Sequence, residues 1–292
     1  MLIFFILLCA VLLLVYLATV LNDNEKIIHV EHSNFRDILV CESRLERYMR
    51  FSRKGSSKQT RMLLSATGLL IVNYNKMMLG ALYLNPRPSK ILMIGLGGGT
   101  LATAVSSIFP EIDIDIVEID PAVINVATKY FNFKQNSRIH IYEKDGRAFV
   151  RNARACDAAY DMIMLDAYDD QYIPGHMMTM EFLLELKRIL TPDGVLSANT
   201  WKSSPLYDSE SVTYEAVFGT FFNLLKTNRV ILAKNNGLPD FETILNNAEL
   251  VEPKLATVGT GVSFLLPLFS VRQNWNLNAE VLTDQTSALI SY

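Results

Sequence analysis

The chain has 292 residues, half of them hydrophobic and a fifth charged, with a net charge of −3. That length holds one good-sized domain with small attachments or two modest domains, and the charge excludes a general nucleic-acid binder, which needs clustered Lys and Arg against phosphate. Cys9, Cys41 and Cys156 lie far apart without ligand spacing, which fits a reducing compartment and excludes a disulfide scaffold or a zinc site.

Residues 2–21, LIFFILLCAVLLLVYLATVL, carry no charge, Pro or Gly. A helix needs about 20 such residues to cross a bilayer core. A cleaved signal peptide and a buried core helix are the competing readings. The run lacks a preceding Lys or Arg and exceeds a signal h-region, and few soluble domains contain a stretch so uniformly apolar. Lys26, Arg36, Arg44, Arg47 and Arg50 follow it, so the positive charge predicts a single-pass anchor in the inner membrane with the remainder cytoplasmic. The expected division is an anchor over 1–26, a small β region and helix over 27–85, and a catalytic domain over 86–292.

In the second segment, residues 29–40 and 47–51 have apolar positions suited to short strands. Residues 67–84 place Leu70, Tyr74, Met77, Met78 and Leu82 at helical spacing. From residue 90 onward strands and helices alternate. Strands are expected over 90–95, 113–119, 138–142, 160–166 and 195–201. Helices are expected from the glycines after residue 95 through 108, from Asp120-Pro121, over 146–155 and over 179–190, the last closed by a turn at 191–194. A helix over 209–226, a strand over 229–234, a helix over 240–249 and an apolar segment near 262–269 complete the series. Such alternation predicts an α/β fold with a doubly wound, mostly parallel sheet.

The glycine run Gly95-Leu96-Gly97-Gly98-Gly99 sits between a strand and a helix, where a backbone can approach a ligand closely. Glu118 ends the next strand, where an acid accepts hydrogen bonds from ribose hydroxyls. Together they predict a nucleoside or nucleotide ligand; separately they fit a tight turn and a solvated acid. Asp145-Gly146 ends the third strand and should face the same crevice, where Asp145 suits an adenine amino group, a helix N-cap, or both. Asp166, Asp169 and Asp170 crowd three acids into five residues, which calls for a bound cation such as an amine or sulfonium. One of them could act as general base. A metal site or an exposed acidic loop are the alternatives, though His176 has no partner at ligand spacing. Asp161, His29, His32, Trp201 and Trp275 read as structural.

The order ILMIGLGGGTLATAV, DIVEIDPAVINVATKYF, KDGRAFV, YDMIMLDAYDD, LTPDGVL and VLTDQTSAL resembles the polyamine aminopropyltransferases, the spermidine synthase family, from about Ser33 to Asp284. The resemblance implies a Rossmann-like class I S-adenosylmethionine-dependent transferase using decarboxylated S-adenosylmethionine or S-adenosylmethionine, a small-molecule amine substrate, no metal and a homodimer. It implies that Gly95, Gly97 and Gly98 cradle the nucleoside, Glu118 holds the ribose, and Asp145, Gly146 and Pro174 surround the adenine. It makes Asp166 the proton acceptor, with Asp169 and Tyr74 on the amine substrate. The family's loop aspartate (GGGDGG) is absent here, its tyrosine–histidine pair is Tyr74-Asn75, an early glutamine is Arg36, and the proline-rich loop after the fifth strand is not recognisable. Aminopropyl transfer is therefore the first expectation. Methyl transfer from S-adenosylmethionine is the second, and a non-catalytic nucleoside-binding module at the membrane the third.

Overall fold

The computed structural model describes residues 25–52, 57–167 and 174–287. The expected membrane span and Asp169 lie outside these residues. Among the described residues no helix is long and apolar enough to cross a membrane.

Four antiparallel strands in chain order form the first sheet: β1 (Lys26–His32), β2 (Asp37–Glu42), β3 (Glu46–Arg50) and β4 (Thr60–Leu63). One face buries Ile38, Val40, Met49 and Met62 against Val123, Val126 and Phe131 of helix α3 (Pro121–Tyr130) and its end. The α3 cap, Asp120, accepts from the Ala122 amide at 2.9 Å and from the Ser33 hydroxyl at 2.6 Å, which joins the β1–β2 turn to the second sheet's helix. His29 and His32 serve different partners: Glu31 at 2.8 Å and Asp37 at 2.6 Å.

The second sheet has seven strands, ordered β10-β11-β9-β8-β5-β6-β7. They are β5 (Lys90–Ile94), β6 (Asp113–Glu118), β7 (Ile139–Glu143), β8 (Tyr160–Leu165), β9 (Leu190–Thr200), β10 (Phe222–Leu225) and β11 (Arg229–Lys234). The five from β5 to β9 are parallel, and β11 runs antiparallel to its two neighbours, β9 and β10. On β5, Ile91 and Met93 face a core shared with α1 (Asn73–Met78), α2 (Thr100–Ile108) and α7 (Phe241–Thr257). Leu92 and Ile94 face the opposite core with α4 (Gly146–Ala155), α5 (Met180–Ile189) and α6 (Tyr207–Phe218). Period-two alternation with apolar residues on both faces gives the continuous hydrophobic runs of a covered parallel strand.

Four expected elements differ, the simplest case being the helix expected over 240–249, which runs on as α7 to Thr257. The helix expected over 67–84 begins only at Asn73, because the Leu70 amide is bonded to Val258 O at 3.0 Å and Val72 stays extended; a 3₁₀ turn, Leu79–Tyr83, follows it. The helix expected over 209–226 stops at Phe218, where Gly219 takes a φ of +71°, and residues 222–225 form β10 instead. The turn at 191–194 is an outward bulge of β9: between the pairs Tyr160–Leu190 and Met162–Val195, four residues of β9 oppose one of β8.

Asp115, 4 % exposed at the centre of β6, shows how the sheet tolerates a charge. Its carboxylate accepts from the Tyr160 hydroxyl at 2.8 Å and the Tyr142 hydroxyl at 3.4 Å, and pairs with Lys90 Nζ at 3.2 Å. Burial and this carboxylate push both phenols above their ordinary range. Tyr160→Phe removes the shortest of these bonds and should destabilise the fold by about 1–3 kcal/mol, read as a lower urea midpoint at unchanged slope.

Candidate active site

The carboxyl ends of the parallel strands open into one cleft, lined by Gly95 and Gly97 after β5, Glu118 on β6, Asp145 and Gly146 after β7, and Asp166 after β8. Chain order reverses here, because β5 lies between β6 and β8, and ligands bind at such switch points. The cleft spans about 810 Å³ with its open mouth included.

The glycine loop is held at both ends. Gly95, Gly97 and Gly99 adopt φ values of +95°, +53° and +71°, a region natural only to glycine. The Leu96 amide donates to Glu118 Oε2 at 3.0 Å and the Gly98 amide to Thr60 Oγ1 at 2.8 Å. Gly98 is buried against Thr60 and, unlike Gly95 and Gly97, lines neither this cleft nor the cavity beside it. Thr60 belongs to the first sheet, so that sheet closes over the loop. Glu118 Oε1 also accepts the Asp120 amide at 3.0 Å. Burial raises the Glu118 pKa, while the two amides and Arg36 oppose the rise, leaving an oriented carboxylate facing the cleft.

Asp145 fills the helix N-cap role expected of it, and its side chain lines the cleft. Its Oδ1 caps α4 through the Ala148 amide at 2.8 Å, and its Oδ2 lies 3.2 Å from His176 Nε2 on the cleft wall. Gly146 is required by close packing: a Cβ there would stand 2.6 Å from Ile94. The wall of Pro174, His176 and Met177 is secured from behind by Arg147, which donates to His176 O at 3.0 Å. Arg147 also grips both oxygens of Asp284 at 2.7 and 2.8 Å and Glu185 at 3.0 Å, while the Thr179 hydroxyl adds a 2.8 Å bond to Asp284. The terminal LTD triplet thus acts on the cleft through its wall.

Asp166 stands where this cleft meets a second cavity, whose lining includes Lys58, Arg61, Asn73, Asn199, Trp201 and Asn228; Gln59, Tyr74 and Asp166 line both. Asn199 Nδ2 donates to Asp166 Oδ1 at 2.9 Å. The Tyr74 hydroxyl lies between the Gln59 carbonyl, at 3.0 Å, and the Asp166 carboxylate. Desolvation pushes the Asp166 pKa up to about 7 and Glu118 adds to the rise, while Asn199 and Tyr74 restrain it. Asp161, at the other end of β8, is structural: it accepts from the Ser89 amide and hydroxyl, the Lys90 amide and the Thr191 hydroxyl. Trp275 stacks on Phe221 at 5.2 Å, but Trp201 forms part of the second cavity's wall rather than the core. Among the described residues no cluster of His, Cys, Asp or Glu is arranged to hold a metal ion.

Sequence reasoning passed over Thr60, Gln59, Asn199 and Asn228. The alternation of buried Thr60 and Met62 marks β4, and a polar Asn199 within the apolar run VLSANTW is the same end-of-strand signal that singled out Glu118.

An oriented carboxylate beside a glycine loop and a desolvated aspartate between two cavities define a nucleoside-binding group transferase. Residues 72–227 match the spermine/spermidine synthase domain. A polyamine aminopropyltransferase of Vibrio vulnificus is 38 % identical over 287 residues, covering 95 % of this chain and 96 % of its own length. The chain belongs to the spermine/spermidine synthase family. The human eEF1A lysine and N-terminal methyltransferase is 35 % identical over 169 residues, 51 % of this chain but 24 % of that protein. A probable spermidine synthase from Corynebacterium glutamicum shares the fold, with a TM-score of 0.65 at 16 % identity over 86 % of this chain and 97 % of its own.

A Cβ on Gly99 would sit 2.6 Å from the Phe133 ring at a positive φ, whereas Gly237, at φ +87°, has nothing within 4 Å. Gly99→Ala should therefore cost about 2–4 kcal/mol and weaken nucleoside binding, against about 1 kcal/mol and unchanged binding for Gly237→Ala, as read by thermal melts and calorimetric titration.

Proposed function

We propose that this chain transfers the aminopropyl group of decarboxylated S-adenosylmethionine to an amine of the polyamine class. The observation that carries the proposal is the position of Asp166, desolvated at the meeting point of the strand-end cleft and a second cavity. In this reading Glu118 accepts the ribose hydroxyls, and Asp145 with the Pro174–Met177 wall encloses the adenine. The acceptor enters through the second cavity past Tyr74. Asp166 takes a proton from the acceptor's ammonium. The freed nitrogen lone pair attacks the propyl carbon beside the sulfonium, forming a C–N bond as the C–S bond breaks with its electron pair going to sulfur. Neutral methylthioadenosine leaves, and the proton passes from Asp166 to solvent. Because the leaving group is a neutral thioether, positioning and one base suffice.

Methyl transfer from S-adenosylmethionine is the second reading, favoured by a specific feature. The glycine loop offers no carboxylate to a donor's amine end, and Arg36, stacked 4.5 Å over Phe51, brings positive charge to the same cleft, suiting a donor that keeps its carboxylate. Incubation with each donor and putrescine, followed by mass spectrometry, separates the readings: methylthioadenosine supports the first, S-adenosylhomocysteine with a methylated acceptor the second. Asp166→Asn should lower aminopropyl turnover about a thousandfold. Since only the ionised carboxylate accepts the proton and its pKa lies at about 7, wild-type kcat/KM should fall about tenfold per pH unit below that value. A pH-independent rate in the wild type would remove Asp166 from the role of base.

We further assign residues 2–21 to a single membrane span, supported by their uncharged apolar length. The full chain should sediment with carbonate-washed membranes and a chain starting at residue 27 should not; equal partitioning of the two would end the assignment.

A further inference from the structure

The second cavity draws one wall from the hairpin of β10 and β11, whose turn carries Thr227 and Asn228. Leu225 pairs with Arg229 across the base of that turn, and the Lys226 amide bonds to Asn228 O at 3.0 Å. The hairpin is anchored by Arg229, which is wholly buried and donates to Asn223 Oδ1 at 2.9 Å and Ser211 Oγ at 2.7 Å. From this fixed turn Asn228 Nδ2 reaches Asn199 Oδ1 at 3.4 Å, and Asn199 Nδ2 reaches Asp166 Oδ1 at 2.9 Å. The orientation of the Asn199 amide is thereby determined. A carboxylate on one side only accepts, an amide N–H on the other only donates, and a flipped amide would oppose oxygen to oxygen and nitrogen to nitrogen.

We propose that Asn199, oriented by Asn228, is a positioning residue that fixes the Asp166 carboxylate by one oxygen and leaves the other to face the acceptor amine. The proposal rests on the assignment of Asp166 as base. An unrestrained carboxylate can rotate about its Cβ–Cγ bond, and Tyr74 alone does not stop it, because its single hydroxyl proton is shared between Asp166 and the Gln59 carbonyl. The Asn199 bond comes from β9, whose register beside β8 pairs Ala198 with Leu165 and so sets Asn199 level with Asp166. A donated hydrogen bond also favours the ionised form over the protonated one. The charged or titratable groups facing this carboxylate are Tyr74 from α1, Glu118 from β6, Arg36, Lys144, Asp145 and His176 around the first cavity, and Lys58 and Arg61 in the second. None of these is altered by changing Asn199 or Asn228.

The test is kcat/KM against pH with decarboxylated S-adenosylmethionine and putrescine for the wild type, Asn199→Ala and Asn228→Ala. Loss of the donated bond should move the acidic limb of Asn199→Ala upward by about one unit, so that its rate falls about fivefold at pH 7 and returns to within about threefold of wild type at pH 9. The KM for the donor should stay unchanged. Asn228→Ala, altered on a surface turn where folding is secure, should shift the limb in the same direction by a smaller amount. Equal loss at every pH, or a limb that stays in place in both variants, would overturn the proposal and leave Asn199 a packing residue. If the wild type releases no methylthioadenosine, the functional reading fails separately. A carbon-13 titration of the Asp166 carboxyl, assigned with Asp166→Asn, then decides the matter without substrate: an upward shift in Asn199→Ala supports the contact, and no shift refutes it.

Discussion

The pairing of Ile94 with Val117 on one side and Leu165 on the other is the constraint on which the site depends. Parallel register sets Gly95, Glu118 and Asp166 at one level, and backbone bonds from Gly95 N to Val117 O and from Asp166 N to Ile94 O, both 2.8 Å, hold them there. The approach is so close that a Cβ on Gly95 would lie 2.2 Å from Asp166 O. A slip of one residue would turn the side chains of a whole strand to the opposite face. The two apolar cores on either side of β5 resist such a slip, so packing far from the cleft maintains the spacing of the carboxylates within it.

The first sheet completes what the second begins. A glycine loop without an acidic side chain has little of its own to fix its path, and here the path is set from outside by Thr60 through the Gly98 amide and by Glu118 through the Leu96 amide. Glu118 therefore serves the site twice over. One oxygen steadies the loop and the other the entry to α3, while the remaining acceptor capacity faces the cleft. The Ser33–Asp120 bond and the packing of β2, β3 and β4 on α3 keep the two sheets in register with each other.

Much of this arrangement could be read from the residues alone, and the reasons differ by region. From Lys90 to Asp166 each strand is a short apolar or alternating run closed by Gly or an acidic residue, and tertiary context agrees with local pattern, so strands, helices and the acids at their ends were all recoverable. The half of the site proposed for the nucleoside has its glycine loop, Glu118 and Asp145 there. The second cavity was obscure because its walls come from segments whose local pattern misleads. Residues 209–226 carry enough helical spacing to read as one helix, yet Gly219 breaks it and buried Phe222 and Leu224 belong to a strand completed only by β11, a partner that periodicity cannot supply. Residues 67–72 look helical too, but the Leu70 amide is claimed by Val258, far along the chain. Asn199 drew no notice because amides are common, and its importance comes from standing beside a carboxylate on the neighbouring strand.

The clasp between Arg147 and Asp284 spans 137 residues of sequence, and that between Thr179 and Asp284 spans 105. Both sheets, and every strand end that faces the cleft, are complete by Lys234, whereas the Arg147 that secures the wall of His176 and Met177 finds its Asp284 partner 50 residues later. The core itself closes later, with Ile244, Val251, Leu255 and Leu265, and the contacts to Asp284 come later still. A chain cut short just before Leu282 would keep both sheets and α7 but lose the Leu282–Met178 packing and the grip of Arg147 and Thr179 on Asp284, so the last described turn of the chain is a seal on the cleft's wall rather than a part of the sheets.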